Sequence, residues 1–222
     1  MNKLSSLQPL LTAGLLLAQF GGPKLMAANN FPEPALNTTP AAAGTKEKAV
    51  FAGGCFWGVE AVFESMKGVS DVVSGYAGGK KLTANYEMVS TGITGHAESV
   101  EVTYDPSKVS YGQLLKVFFS VVHDPTELNR QGPDTGSQYR SAIFYMNEDQ
   151  KKVAEAYIHQ LEAAQIFKKK IVTQVVPFQA FYLAEEHHQN FIERNPTYPY
   201  VVYNDLPKLR ALKKQYPELA KK

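Results

Sequence analysis

The stretch KAVFAGGCFWGVEAVFESM, Lys48–Met66, decides how this chain is read. Lys48–Ala52 is a short apolar run stopped by Gly53-Gly54, which reads as a strand entering a tight turn. Val59, Val62, Phe63 and Met66 then recur at i, i+3, i+4 and i+7, which is one face of a helix. The change from strand to helix therefore falls at Cys55. It is the only cysteine among 222 residues, and it lies two places before Trp57, the only tryptophan.

Working outward, Val69–Tyr76 reads as a second strand closed by Gly78-Gly79, and Leu82–Gly95 as a polar loop. Glu98–Tyr104 alternates, with Val100, Val102 and Tyr104 on one face. Ser110 caps a helix whose buried stripe is Leu114, Val117, Phe118 and Val121. His123–Ser137 is a long loop of the kind that is usually functional. Tyr139–Tyr145 is a strand, and Asn147 caps a helix that reaches Phe167. Ile171–Val176 is a strand ended by Pro177, Ala184–Arg194 a short helix, and Asp205 or Pro207 opens a last basic helix. Strands and helices mix without a strict βαβ repeat. This predicts a single α+β domain, with a mixed or antiparallel sheet and flanking helices in a two-layer sandwich. The domain is expected over residues 48–204, with a C-terminal helical extension over 205–222.

What precedes the domain reads differently. Met1-Asn2-Lys3 is a short basic start, Leu7–Phe20 is mostly apolar, Gly21-Gly22-Pro23 breaks any helix, and Ala27-Ala28 could precede a cleavage. Residues 1–28 thus read as a secretory signal peptide, and 29–47, rich in Pro, Ala, Thr and Asn, as a flexible linker. The expectation is an exported protein of the periplasm or cell exterior, tethered to the membrane only where the signal stays uncleaved. Removing the signal takes away Lys3 and Lys24 and leaves equal numbers of basic and acidic residues. That balance excludes electrostatic capture of nucleic acid as the main activity. No internal disulfide can form, so Cys55 is free, modified or paired with another molecule.

A cysteine at a helix N-terminus faces amides with partial positive charge. That placement predicts a lowered thiol pKa and a reactive thiolate, against the alternative of a buried structural cysteine. Phe56 and Trp57 either pack in the core or line an apolar slot beside it. Glu98 shares parity with Val100, so it either points into the apolar face, with a raised pKa suited to a general acid, or precedes the buried part and is solvated. Tyr86 and Tyr139 are phenols able to donate to a polar oxygen, and Asp134 lies in an unusually polar loop. His96, His123, His187 and His188 do not have metal-site spacing, but they keep a Cys–His hydrolase open.

Taken in order, the blocks GCFWGVE (Gly54–Glu60), GYAGG (Gly75–Gly79), TGHAESVEVTYDP (Thr94–Pro106), HDPTELNRQGPDTGSQYRSAI (His123–Ile143) and AEEHHQNF (Ala184–Phe191) resemble the signature blocks of type A peptide methionine sulfoxide reductases. The resemblance implies that Cys55 attacks the sulfur of a methionine S-sulfoxide, free or within an oxidised protein or peptide, and ends as a sulfenic acid. Glu98 would be the acid, Tyr86 and Tyr139 would hold the departing oxygen, Asp134 would support the site, and Phe56 and Trp57 would hold the substrate methyl. It also implies no bound cofactor. Many members carry C-terminal cysteines that resolve the sulfenic acid, and the tail from Asn195 here has none. The expected reductant is an external thiol: a thioredoxin-like protein, glutaredoxin with glutathione, or dithiothreitol in vitro. Expected partners are oxidised proteins and a thiol reductase, without nucleic acid and without stable membrane insertion once the signal is removed. A cysteine hydrolase and a module that binds oxidised methionine without turnover stand as alternatives.

Overall fold

The computed structural model describes residues 31–39 and 44–222, so the expected signal peptide lies outside the described residues. In chain order the strands are β1 (Glu47–Gly53), β2 (Val69–Ala77), β3 (Ala97–Tyr104), β4 (Arg130–Gln131), β5 (Asp134–Thr135), β6 (Ser141–Tyr145), β7 (Gln174–Pro177) and β8 (Phe181–Leu183). The α-helices are α1 (Phe56–Glu64), α2 (Tyr86–Ser90), α3 (Tyr111–Val117), α4 (Glu148–Ala163), α5 (Phe191–Arg194) and α6 (Leu206–Gln215).

Six strands form one sheet in the order β7-β6-β1-β3-β2-β8. Neighbours pair antiparallel except β6 and β7, so the sheet is mixed. Its main core lies against α1, α3, α4 and α6. Phe51 of β1 stacks on Phe63 and Phe118 at 5.1 Å, and Val59, Val62 and Met66 are buried with it. Each such side chain contributes about 1.5–3 kcal/mol of apolar burial. A smaller cluster covers the opposite face, built on Val50, Ala52, Ala142 and Phe144. The α+β, two-layer expectation therefore holds.

The capping signals acted as read. Ser110 closes a full capping box with Gln113, and Asn147 accepts from the Gln150 amide. Two short elements gave no periodic signal, namely α2 inside the expected polar loop and β8. The expected helix over Ala184–Arg194 is broken. Glu186–His188 is one 3₁₀ turn, Asn190 is left-handed at φ 49°, and α5 follows.

The N-terminal linker is corrected over residues 31–39. Phe31 is buried and packs edge-on against Phe167, and the Tyr157 hydroxyl donates to Pro32 O at 2.8 Å. Gln160 and Asn37 add further bonds, so this stretch is a strap across α3 and α4. The expected C-terminal extension is likewise part of the fold. Leu212 and Tyr216 are buried, the Lys67 amide donates to Leu219 O at 2.7 Å, and Ala220 bridges to Met66.

Candidate active site

β1 delivers the chain to Gly54, whose φ of +94° and contact with Gln131 leave no room for a side chain. Cys55 then takes the N-cap position of α1. Its side chain makes no capping hydrogen bond, and only 8% of the residue is exposed. Here the helix-end argument is overturned. Burial pushes the Cys55 thiol well above its ordinary pKa, and the carboxyls of Glu98, Asp205 and Asp134 push it further. The Trp57 amide alone pulls the other way. A helix terminus stabilises a thiolate through partial charges, and three nearby acids with little water outweigh it.

Glu98 settles the other way from its solvated alternative. It sits on β3 opposite Tyr76, is 2% exposed, and its Oε2 accepts the Phe56 amide at 3.1 Å. Burial raises its carboxyl to about 8, the Phe56 bond opposes this, and Asp134 adds to it. A carboxyl in that condition carries a proton at neutral pH and stands one residue from the sulfur.

Tyr86 opens α2, which Asn85 caps, and its amide donates to Glu185 Oε1 at 2.8 Å. Tyr139 ends a 3₁₀ turn over Ser137–Tyr139. Burial first and Glu98 second push both phenols up, with Asp134 and Cys55 adding, so both keep their protons as donors. Asp134 of β5 is raised by burial and accepts the Tyr200 hydroxyl. Cys55, Glu98, Tyr86, Tyr139 and Asp134 are thus brought together from five separate elements.

The two aromatics after Cys55 part company. Phe56 is buried against Tyr76 and His188. Trp57 stays half-buried, stacked on Phe191 at 3.6 Å and 6°, with its Nε1–H donating to His188 Nδ1 at 3.2 Å. Tyr198 and Tyr200 meet its ring edge-on. Together they make an aromatic wall beside the sulfur.

Three of the histidines are engaged with partners other than Cys55. His123 bonds Phe118 O at 3.0 Å and Ser141 Oγ at 2.6 Å, and burial lowers its pKa to about 4. His96 is buried on Lys80 O, and His188 is spent on Trp57. Among the described residues no group of three His, Cys, Asp or Glu side chains is placed to hold a metal ion.

Three site residues escaped the sequence reading: Tyr200, Glu185 and Asp205. Glu185 ties the Tyr76 hydroxyl, at 2.8 Å, to the Tyr86 amide. Tyr200 and Asp205 come from the tail, and no local pattern marks them. Because Tyr200 donates to the ionised form of Asp134, Tyr200→Phe should move the Asp134 titration midpoint upward and cost about 1–3 kcal/mol of stability. Carbon-13 shifts of the carboxyl against pH and denaturant unfolding check this. An unmoved midpoint would mean that the phenol does not hold the carboxylate.

The chain is similar to known proteins over most of its length. The family model described as peptide methionine sulfoxide reductase matches residues 47–220. A peptide methionine sulfoxide reductase MsrA 2 of Synechocystis sp. is 58% identical over 193 residues, covering 86% of this chain and 90% of that protein. One from Mesorhizobium japonicum is 61% identical over 178 residues, covering 80% and 91%. Among solved structures, reduced Mxr1 of Saccharomyces cerevisiae superposes with TM-score 0.66 at 31% identity, covering 76% of this chain and 94% of that one. Methionine sulfoxide reductase A of Corynebacterium diphtheriae gives 0.58 at 33%, covering 78% and 92%.

Proposed function

The chain belongs to the peptide methionine sulfoxide reductase family, and on that premise we propose how it works. It reduces methionine S-sulfoxide to methionine. Cys55 sulfur attacks the sulfoxide sulfur, and Glu98 passes its proton to the sulfoxide oxygen. Tyr86 and Tyr139 hold that oxygen through their hydroxyls, and Asp134 keeps its place through Tyr200. The net step breaks the S–O bond of the sulfoxide and leaves the oxygen on Cys55 as a sulfenic acid, so the substrate sulfur is reduced and Cys55 oxidised. Phe56 and the Trp57 wall take the substrate methyl. The observation that carries the reading is Glu98: a buried, proton-bearing carboxyl joined to the residue next to the lone thiol.

Two equivalents of an external thiol then return Cys55 to the thiol, giving a disulfide and water. A thioredoxin-like protein or glutaredoxin with glutathione fits that role, and the chain needs no bound cofactor. The substrates are proteins and peptides as well as the free amino acid. Exposed Leu82, Met88, Ile93, Leu128, Tyr198 and Tyr203 stand on the segments that also carry Tyr86, Asp134, Tyr139 and Tyr200, which supports a polypeptide lying across the entrance. Export to the periplasm or exterior is proposed on residues 1–28 alone. Among the described residues no helix is long and apolar enough to cross a membrane.

Mixing the protein with a peptide carrying methionine S-sulfoxide, without reductant, tests the function. One methionine per protein and one added oxygen on Cys55 are expected. Bound peptide with no methionine formed would leave only a recognition module, and an acylated Cys55 would point to hydrolase chemistry.

A further inference from the structure

Gly58 lies three residues after Cys55 in the first turn of α1, so the two share a face of the helix. A side chain at Gly58 would collide with Asp205 Oδ1 and come within 2.8 Å of Lys208 Nζ. The space it leaves is therefore filled by an acid and a base from the tail. Asp205 is 0% exposed. Its Oδ1 accepts Lys208 Nζ at 3.2 Å, and its Oδ2 is buried with no hydrogen-bond partner. A buried oxygen without a partner is costly, and it is retained here beside the one thiol of the chain. Tyr216 and Leu212, buried beyond it on the same tail, fix the segment in place.

We propose that Asp205 is a positioning residue for Cys55: seated in the space left by Gly58, it holds negative charge near the sulfur and keeps the resting thiol in its neutral form. Burial raises the Asp205 carboxyl, and Lys208, which donates to Oδ1, opposes that rise and favours the ionised form. The other groups around the sulfur are Glu98 from β3, Asp134 from β5, the phenols Tyr86, Tyr139 and Tyr200, and the Trp57 amide. The direction of the Cys55 shift agrees, with Asp205 second among the charges that raise it. The arrangement suits a chain without a resolving cysteine. A resting thiolate is open to oxidation past the sulfenic stage, which external thiols do not reverse, and a neutral thiol resists it.

The inference rests on Cys55 as the nucleophile, yet its test reads the thiol directly and needs no turnover. Alkylation of Cys55 by iodoacetamide is followed against pH in the full-length protein, with circular dichroism as the control for folding. Asp205→Asn should alkylate severalfold faster at pH 8, with its midpoint moved down. Lys208→Arg keeps the cation that favours ionised Asp205 and should leave the midpoint where it is in the wild type. A merely structural role would loosen both variants and speed both, which overturns the proposal, as does a pair of unchanged profiles. Where Asp205→Asn fails to fold, Asp205→Ser takes its place, with the same downward shift expected.

Discussion

Glu98→Gln should lower kcat/KM for a methionine sulfoxide peptide by about 10²–10⁴, the usual worth of a general acid. Glutamine keeps the size of the side chain and can still accept the Phe56 amide, so the fold should survive while the proton is lost. The pH profile separates this from simple damage. The reactive microstate has a proton on Glu98 and none on Cys55, one fewer than the resting pair holds. For the wild type, kcat/KM therefore rises with pH to about 8, where the pair gives up its first proton, stays level above that, and falls once the second proton leaves. Glu98→Gln has no carboxyl to titrate, so its inflection belongs to the thiol alone and the break near pH 8 disappears. A variant that keeps the wild-type profile at a reduced rate would remove Glu98 from the acid's role.

Cys55→Ser should abolish reduction altogether. A serine hydroxyl is a far weaker nucleophile toward a sulfoxide sulfur, and among the described residues there is no second cysteine to stand in. Peptide binding should persist, because Phe56, Trp57 and the phenols remain. The expected readout is no methionine and no added oxygen in a single turnover, with affinity for the peptide kept within a few fold. Residual methionine formation at the wild-type rate would place the oxygen acceptor elsewhere in the chain.

Some of this site was legible in the sequence because its signals were local. The apolar run before Gly53-Gly54 and the helical spacing from Val59 to Met66 placed Cys55 at the junction of β1 and α1. Strand parity left Glu98 either inward with Val100 and Val102 or solvated, and its burial decides for the inward position. What failed was tertiary. The thiol was read from its helix end, while its protonation is ruled first by burial and then by acids that arrive from β3, the tail and β5. α2 and β8 have five and three residues, too few for a period to show. The helix expected over Ala184–Arg194 has the right composition, but Asn190 turns left-handed and its amide goes to Glu60 instead of a helical carbonyl. The strap at Phe31–Thr39 has a linker's composition and gains its order from contacts with α3 and α4.

The tail that supplies Tyr200, Asp205 and Lys208 also sets an order of events in the life of the chain. Cys55 and β1 are made early, while those three residues leave the ribosome long after them. Until they dock on α1 and β5, the aromatic wall is missing its edge and Asp134 its partner. Before that docking, Cys55 lacks the Asp205 carboxyl and the site lacks Tyr200. Activity and the restrained state of the thiol begin together, when the segment 200–208 docks.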